Sequence, residues 1–412
     1  MATHPVSPLA PERFPDLPQV KGVSALTARL GLYKHERDEL LVLRFAQGTS
    51  VAGVFTRSST RSADVAWCRQ ALAAGAGRAT ALVCNAGNSN AFTGPAGEAK
   101  NAATVAAVQA LTACAPHEVF LAATGVIGKP VPADLIAGSL PDLWPRLAAP
   151  DWEACARAFS TTDTYPKGAG ATADIDGAPV AIAGIAKGSG MIAPDMATML
   201  VFVVTDAAIA PPVLQGLLAR HVETSFNAIT VDSDTSTSDT LLVFATGASG
   251  STLIERLDDP RLAGFETAFA AVLTDLALQV VKDGEGAQKL IRVEVTGAAS
   301  DASARTIARA IANSPLVKTA VAGGDANWGR VAMAVGKSGE PIALDRLAIR
   351  MGGVWTARDG GAVPYDEAAV DAAFASRNVD ILVDVGAGTG GSVVWTCDLT
   401  HGYIAINGDY RT

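Results

Sequence analysis

The stretch from Lys187 to Asp206 holds the residue types best suited to covalent chemistry. A Gly-rich loop carrying Lys187 leads through a proline turn to Thr198, which opens an almost unbroken apolar run. A threonine hydroxyl can attack the carbonyl of the residue before it, here Ala197, and cutting that bond frees an α-amine that can act as the base. Such an amine ordinarily titrates at about 7.7 to 8.0, so a useful fraction is neutral at pH 7 and no histidine is required. Thr198 also suits the plain start of a strand, where β-branched residues are common. The segment alone leaves both readings open.

Other motifs carry less. Gly386 to Gly391 satisfies G-x-G-x-x-G after a strand, but the β-branched run from Ser392 to Thr396 follows where a dinucleotide fold needs a helix, so it reads as a hairpin turn. Gly336-Lys337-Ser338 resembles the end of a phosphate loop, yet Val331 stands where its first glycine belongs. No histidine lies in H-x-x-x-H, and there is no G-x-S-x-G elbow. Cys68, Cys84, Cys114, Cys155 and Cys397 are odd in number and form no C-x-x-C pair, which fits buried free thiols better than a disulfide framework or a zinc site.

These residues need a scaffold. Strands are expected at 39–45 and 51–55, separated by a Gly-Thr-Ser turn, and at 81–84, which runs into a small-residue loop at 85–94. Helices fit 99–114, 211–225 and 263–282; in the last, Phe265, Phe269, Val272, Leu276 and Val280 form one stripe. Strands return at 291–296, 379–385 and 392–397. The mixed order predicts an α/β layered sandwich and not a repeating barrel.

At 412 residues the chain predicts two or three structural units, and 49% apolar against 18% charged residues predicts burial against other subunits or inside thick layers, with an oligomer expected. The net charge of -9 is scattered, which argues against a nucleic-acid partner. No signal-peptide core and no uncharged apolar run of bilayer length are found, so the expected location is cytoplasmic, with no membrane partner.

Nine ordered motifs resemble the ornithine acetyltransferase family, the bifunctional glutamate N-acetyltransferases of arginine biosynthesis: Val51–Phe55, Asn85–Asn88, Thr124–Gly128, Thr161–Thr164, Lys187–Asp206, Phe226–Asp232, Asp283–Gly286, Asn327–Arg330 and Asn407–Thr412. The resemblance implies cleavage between Ala197 and Thr198, giving an α chain of residues 1–197 and a β chain of residues 198–412, with a C-terminal subdomain from about 290. It implies an αββα sandwich of the N-terminal-nucleophile-like type and an α2β2 heterotetramer. Thr198 would take the acetyl group from N2-acetylornithine and pass it to glutamate in a ping-pong cycle. Thr124 and Gly125 correspond to the oxyanion-hole pair, and Thr161, Lys187, Thr198, Glu285, Asn407 and Thr412 to substrate-binding positions. No metal or bound cofactor is implied, and acetyl-CoA enters only as an alternative acetyl donor in bifunctional members.

Those roles are chemically coherent. A tetrahedral intermediate needs two donors at its oxygen, which a threonine hydroxyl and a glycine amide supply. Lys187 suits a substrate carboxylate and Glu285 a substrate amine. Asn407 and Thr412 require a C-terminus tied over the site, so truncation there is expected to abolish activity. Ser233 and Ser238 depart from the family's usual glycine and asparagine, which bears on loop geometry. Two rivals remain: a self-cleaving amidase or aminopeptidase with water as acceptor, and a catalytically silent binding paralogue whose chain stays uncut.

Overall fold

The computed structural model describes residues 5–193 and 199–408. Its first sheet contains β1 (Val23–Ala28), β2 (Leu40–Phe55), β3 (Arg78–Asn88), β4 (Val119–Val126), β5 (Lys167–Ile175), β6 (Ala178–Lys187), β7 (Leu200–Thr205) and β8 (Thr240–Ala245). Their order is β4-β3-β2-β8-β7-β6-β5, with β1 paired to β2. The turn expected near Gly48 is instead an irregularity inside one 16-residue strand: the β2–β3 register shifts between Arg44 and Thr49. Gly48 has φ 83°, a conformation glycine adopts without a Cβ penalty.

That bend folds the sheet onto itself. In a flat sheet, β4 and β8 would lie three strand spacings apart, about 14 Å, yet the rings of Phe120 and Phe244 lie 6.1 Å apart, and Phe45 stacks on Phe244 at 4.2 Å. Leu200, Phe202, Val204, Leu242 and Phe244 face this inner core, while Val201, Val203, Leu241 and Val243 face the helices behind. The period-two alternation explains why the run after Thr198 is apolar throughout: both of its faces are covered.

Helices complete the outer layers. Ala63–Ala74 packs on β4 and β2; its Trp67 Nε1 donates to Val119 O at 2.9 Å. Pro211–Val222 and Ala263–Lys282 cover β2, β5 and β6 from the opposite side. The predicted stripe of Ala263–Lys282 is buried, each large side chain contributing about 1.5 to 3 kcal/mol. By length and composition the segment 260–282 could cross a membrane, but here it is a core helix of the sandwich.

The second sheet begins at β9 (Leu290–Ala298) and adds β10 (Ala348–Met351), β11 (Val354–Arg358), β12 (Gly361–Ala362), β13 (Asn378–Asp384) and β14 (Gly390–Cys397), in the order β12-β11-β10-β13-β9-β14. Because β9 lies between β13 and β14, the glycine segment after β13 is a crossover and not a hairpin turn. A Cβ on Gly390 would stand 2.2 Å from the Ser300 backbone, so the sequence is small there to let two backbones pass. The two units meet at a polar seam, where the buried Lys318 Nζ donates to Val231 O and Thr396 Oγ1, both at 2.8 Å.

Candidate active site

Thr198, Ala197 and Thr412 lie outside the described residues, but the chain leaving residue 198 is tightly held. Met199 is buried, its amide donates to Asp239 Oδ1 at 2.9 Å, and its carbonyl accepts from Thr240 N at 3.0 Å. The next residue, Leu200, has Lys187 of β6 as its partner on one side and Thr240 of β8 on the other. Lys187 and Asp239 therefore flank the start of β7. Burial pulls the Lys187 ammonium below its usual range, although Asp163 and Asp239 oppose the change. Burial likewise pushes the Asp239 carboxyl well up, against the pull of the Met199 amide and Lys187.

The loop after Lys187 is clamped by carboxylates. Gly188 N donates to Asp163 Oδ1 at 2.7 Å, and Met191 N and Ile192 N donate to the two oxygens of Asp232 at 2.6 and 2.9 Å. Asp163 also accepts from Thr161 N at 2.9 Å, so one carboxylate joins the Thr161 segment to the Lys187 loop. Burial would raise its pKa, but Lys167 and Lys187 outweigh burial and hold it below the ordinary range. Lys167 pairs with both Asp163 and Asp283 at 2.6 Å. A cavity of about 460 Å³ opens beside Thr161, Asp163 and Thr164 and is bordered by His35 and Arg37.

Glu285 closes the other side. Its amide donates to Ser189 O at 3.1 Å, and a Cβ on Gly190 would lie 2.5 Å from its carboxylate carbon, so the acid rests in space that a larger residue at 190 would make it leave. Asn407 Nδ2 donates to Glu285 Oε2 at 2.7 Å. The helix His401–Gly408 that carries Asn407 is held by Thr400 Oγ1 donating to Gly286 O at 2.7 Å.

Thr124 is buried at the end of β4, and Gly125 follows with φ 127°. A Cβ on Gly125 would meet the Gly87 carbonyl carbon at 2.6 Å, so glycine is needed both for the backbone angle and for the close approach to β3. Two hydrogen bonds connect this strand end to Ser238, the residue before Asp239: Ser89 Oγ donates to Val126 O, and Ser238 Oγ donates to Ser89 O, each at 3.2 Å. Ser238 thus makes a specific contact, while Ser233 takes φ 67°, a conformation that favours glycine.

Thr161, Lys187, Glu285 and Asn407 are thereby joined through the Gly188–Ile192 loop, with Thr124 and Gly125 linked to the start of β8. Sequence reasoning did not single out Asp163, Asp232 or Asp239. The first lies inside the Thr161–Thr164 motif and the second ends the Phe226–Asp232 motif; Asp239, one residue before an apolar strand, had no sequence signal. Among the described residues no group of three or more His, Cys, Asp or Glu could hold a metal ion.

Comparison with known proteins adds a family. The ArgJ family matches residues 24–412. The arginine biosynthesis bifunctional protein ArgJ of Caulobacter vibrioides is 55% identical over 401 residues, covering 97% of this chain and 100% of the relative. That of Agrobacterium fabrum is 54% identical over 411 residues, covering 99% of both. The crystal structure of arginine biosynthesis bifunctional protein ArgJ from Bacillus halodurans is 40% identical, with a TM-score of 0.49, over 51% of this chain and 98% of that one.

Proposed function

The chain belongs to the ArgJ family, and on that premise we propose that it moves an acetyl group from N2-acetylornithine to glutamate through a covalent acetyl-Thr198 enzyme. It is an acetyltransferase of arginine biosynthesis, like the bifunctional relatives it matches along almost its whole length.

In the proposed cycle the precursor is cut between Ala197 and Thr198. The Thr198 hydroxyl gives its proton to the new α-amine and attacks the acetyl carbonyl. Thr124 Oγ1 and the Gly125 amide stabilise the oxyanion, the ornithine amine leaves with a proton, and glutamate then attacks the acetyl-threonine ester. Lys187 meets the substrate carboxylate, Glu285 the substrate amine, and Thr161, Asn407 and Thr412 complete the binding set. Acetyl-CoA serves as a second acetyl donor for glutamate. The two chains assemble as an α2β2 heterotetramer in the cytoplasm. The cycle needs no metal or bound cofactor.

The observation that carries this reading is the convergence of buried Lys187, buried Glu285 and the hydrogen-bonded Asn407 on the loop that leads to residue 198. Its test is the acceptor. With acetyl-labelled N2-acetylornithine and glutamate, label should appear in N-acetylglutamate, and initial rates should give parallel lines in double-reciprocal plots. Label recovered only as acetate would make the protein an amidase.

A further inference from the structure

The Asp163 side chain is 1% exposed, and the cycle above gives it no task. Its Oδ1 accepts from Gly188 N at 2.7 Å and from Lys167 Nζ at 2.6 Å, and its Oδ2 accepts from Thr161 N at 2.9 Å. One carboxylate thus fixes the residue after Lys187 and the backbone of Thr161, two positions given to the substrate. Lys187 is buried as well, and a buried ammonium tends to lose its proton unless negative charge lies near it. The titratable groups that act on Lys187 are Asp163, Lys167, Asp239 and Cys84. Lys167 repels it, and burial pushes the Asp239 carboxyl and the Cys84 thiol up, toward their neutral forms. Asp163 is the acid held below its ordinary range: burial opposes its ionisation, but Lys167 and Lys187 outweigh burial. Lys167 is in turn shared with Asp283, whose carboxyl burial pushes up, so that one ammonium does not exhaust the charge of Asp163.

We propose that Asp163 is a positioning residue for substrate binding: it fixes the turn after Lys187 and supplies the negative charge that supports the Lys187 ammonium, which meets the substrate carboxylate. The proposal rests on the role given to Lys187 above and extends it to the group behind it. Without the Asp163 charge, Lys187 faces burial and Lys167, both of which favour the neutral amine. The ammonium is then lost at lower pH, and with it the hold on a carboxylate. Affinity for N2-acetylornithine therefore falls earlier as the pH rises.

The test is Asp163→Asn, made on protein whose intact mass shows cleavage, with N-acetylputrescine as a competitor. That compound is N2-acetylornithine without its carboxylate. In the variant the KM for N2-acetylornithine should begin its rise at a pH about one to three units lower than in the wild type. The Ki of N-acetylputrescine should keep its wild-type pH dependence, and plateau kcat should change less than KM. An unshifted rise, or an equal shift for both ligands, would overturn the proposal. Lys187→Met tests the premise separately: it should raise the KM for N2-acetylornithine and leave the competitor unaffected. An unchanged KM there would remove Lys187 from the substrate site, whatever Asp163 does. If Asp163→Asn does not fold or mature, the wild type decides. The Lys187 Cε resonance, followed by NMR in ¹³C-lysine protein, should report an ammonium at pH 7. A neutral amine at that pH would overturn the proposal, because burial would then set the state of Lys187 unopposed.

Discussion

Among the described residues the sandwich buries Asp64, Lys100, Lys167, Lys187, Asp239, Asp283 and Glu285, whereas the sheet that begins at Leu290 closes on Ile291, Val293, Ile349, Phe374, Ile381 and Val383. The buried charges of the later half, Lys318 and Asp398, lie at its seam with the sandwich: Lys318 donates to Val231 O, and Asp398 accepts from the amides of Gln288 and Lys289. Both regions fold by burying apolar faces. Away from that seam, the sandwich is the region that holds charged side chains out of water, which is costly unless pairing or function retains them.

The buried charges of the sandwich divide further. Lys100 and Asp64 form a closed pair at 2.9 Å, with Asn90 Nδ2 donating to the second Asp64 oxygen at 2.6 Å. Lys167 is likewise enclosed by Asp163 and Asp283. Burial displaces Asp283, Lys187 and Asp239 alike from their ordinary titration ranges, but Lys187 and Asp239 are the two that flank the chain next to residue 198. Perturbed groups at the start of β7 mark a site, and the Asp163–Lys167–Asp283 cluster braces the loop beside it, whereas the Asp64–Lys100 pair marks structure.

Substitutions can break this comparison in graded ways. The largest effect is expected from Thr198→Ala, which should leave one uncut chain with no transfer in the labelled-acetyl assay. Full cleavage of that variant would remove the site from the sandwich altogether. Lys100→Met should cost about 3 to 5 kcal/mol of stability by stranding the buried Asp64 carboxylate, read as a fall in the urea midpoint. Phe374→Ala, in the apolar sheet unit, should cost a similar 3 to 5 kcal/mol through its cavity, yet leave kcat per folded enzyme unchanged. A large fall in that kcat would show that the sheet beginning at β9 does more than carry the helix that bears Asn407. Thr124→Val keeps the shape and removes one hydroxyl, so kcat should fall by the equivalent of about 2.7 to 4 kcal/mol, with the melting temperature little changed.

Much of the scaffold was legible from pattern. The stripe of Ala263–Lys282 and the apolar strands β9, β13 and β14 follow from periodicity, and the run after Thr198 announces a strand covered on both faces. The continuity of β2 was not legible, because Gly48-Thr-Ser50 reads as a turn until the neighbouring strands show that pairing continues beyond the irregularity. The glycine crossover before β14 was misread for a related reason: strand order is a tertiary fact, and a hairpin and a crossover can share glycines.

Site residues were legible mainly as motifs. Thr161, Lys187, Glu285 and Asn407 are far apart in sequence, and nothing in their spacing announces that one loop gathers them. Asp163 and Asp239 were missed because a single acidic residue has the same sequence signature whether it is solvated or buried. Its partners decide: a ring of amides and lysines around Asp163, and the Met199 amide on Asp239.

The central claim is that Thr198 is freed by cleavage and then carries the acetyl group. The denatured intact mass of the purified protein, before and after brief incubation with N2-acetylornithine, tests it most directly. The account predicts two fragments divided between Ala197 and Thr198, with only the C-terminal one gaining a single acetyl group, and losing it when glutamate is added. A single uncut and unmodified chain would contradict both the self-cleavage and the covalent carrier.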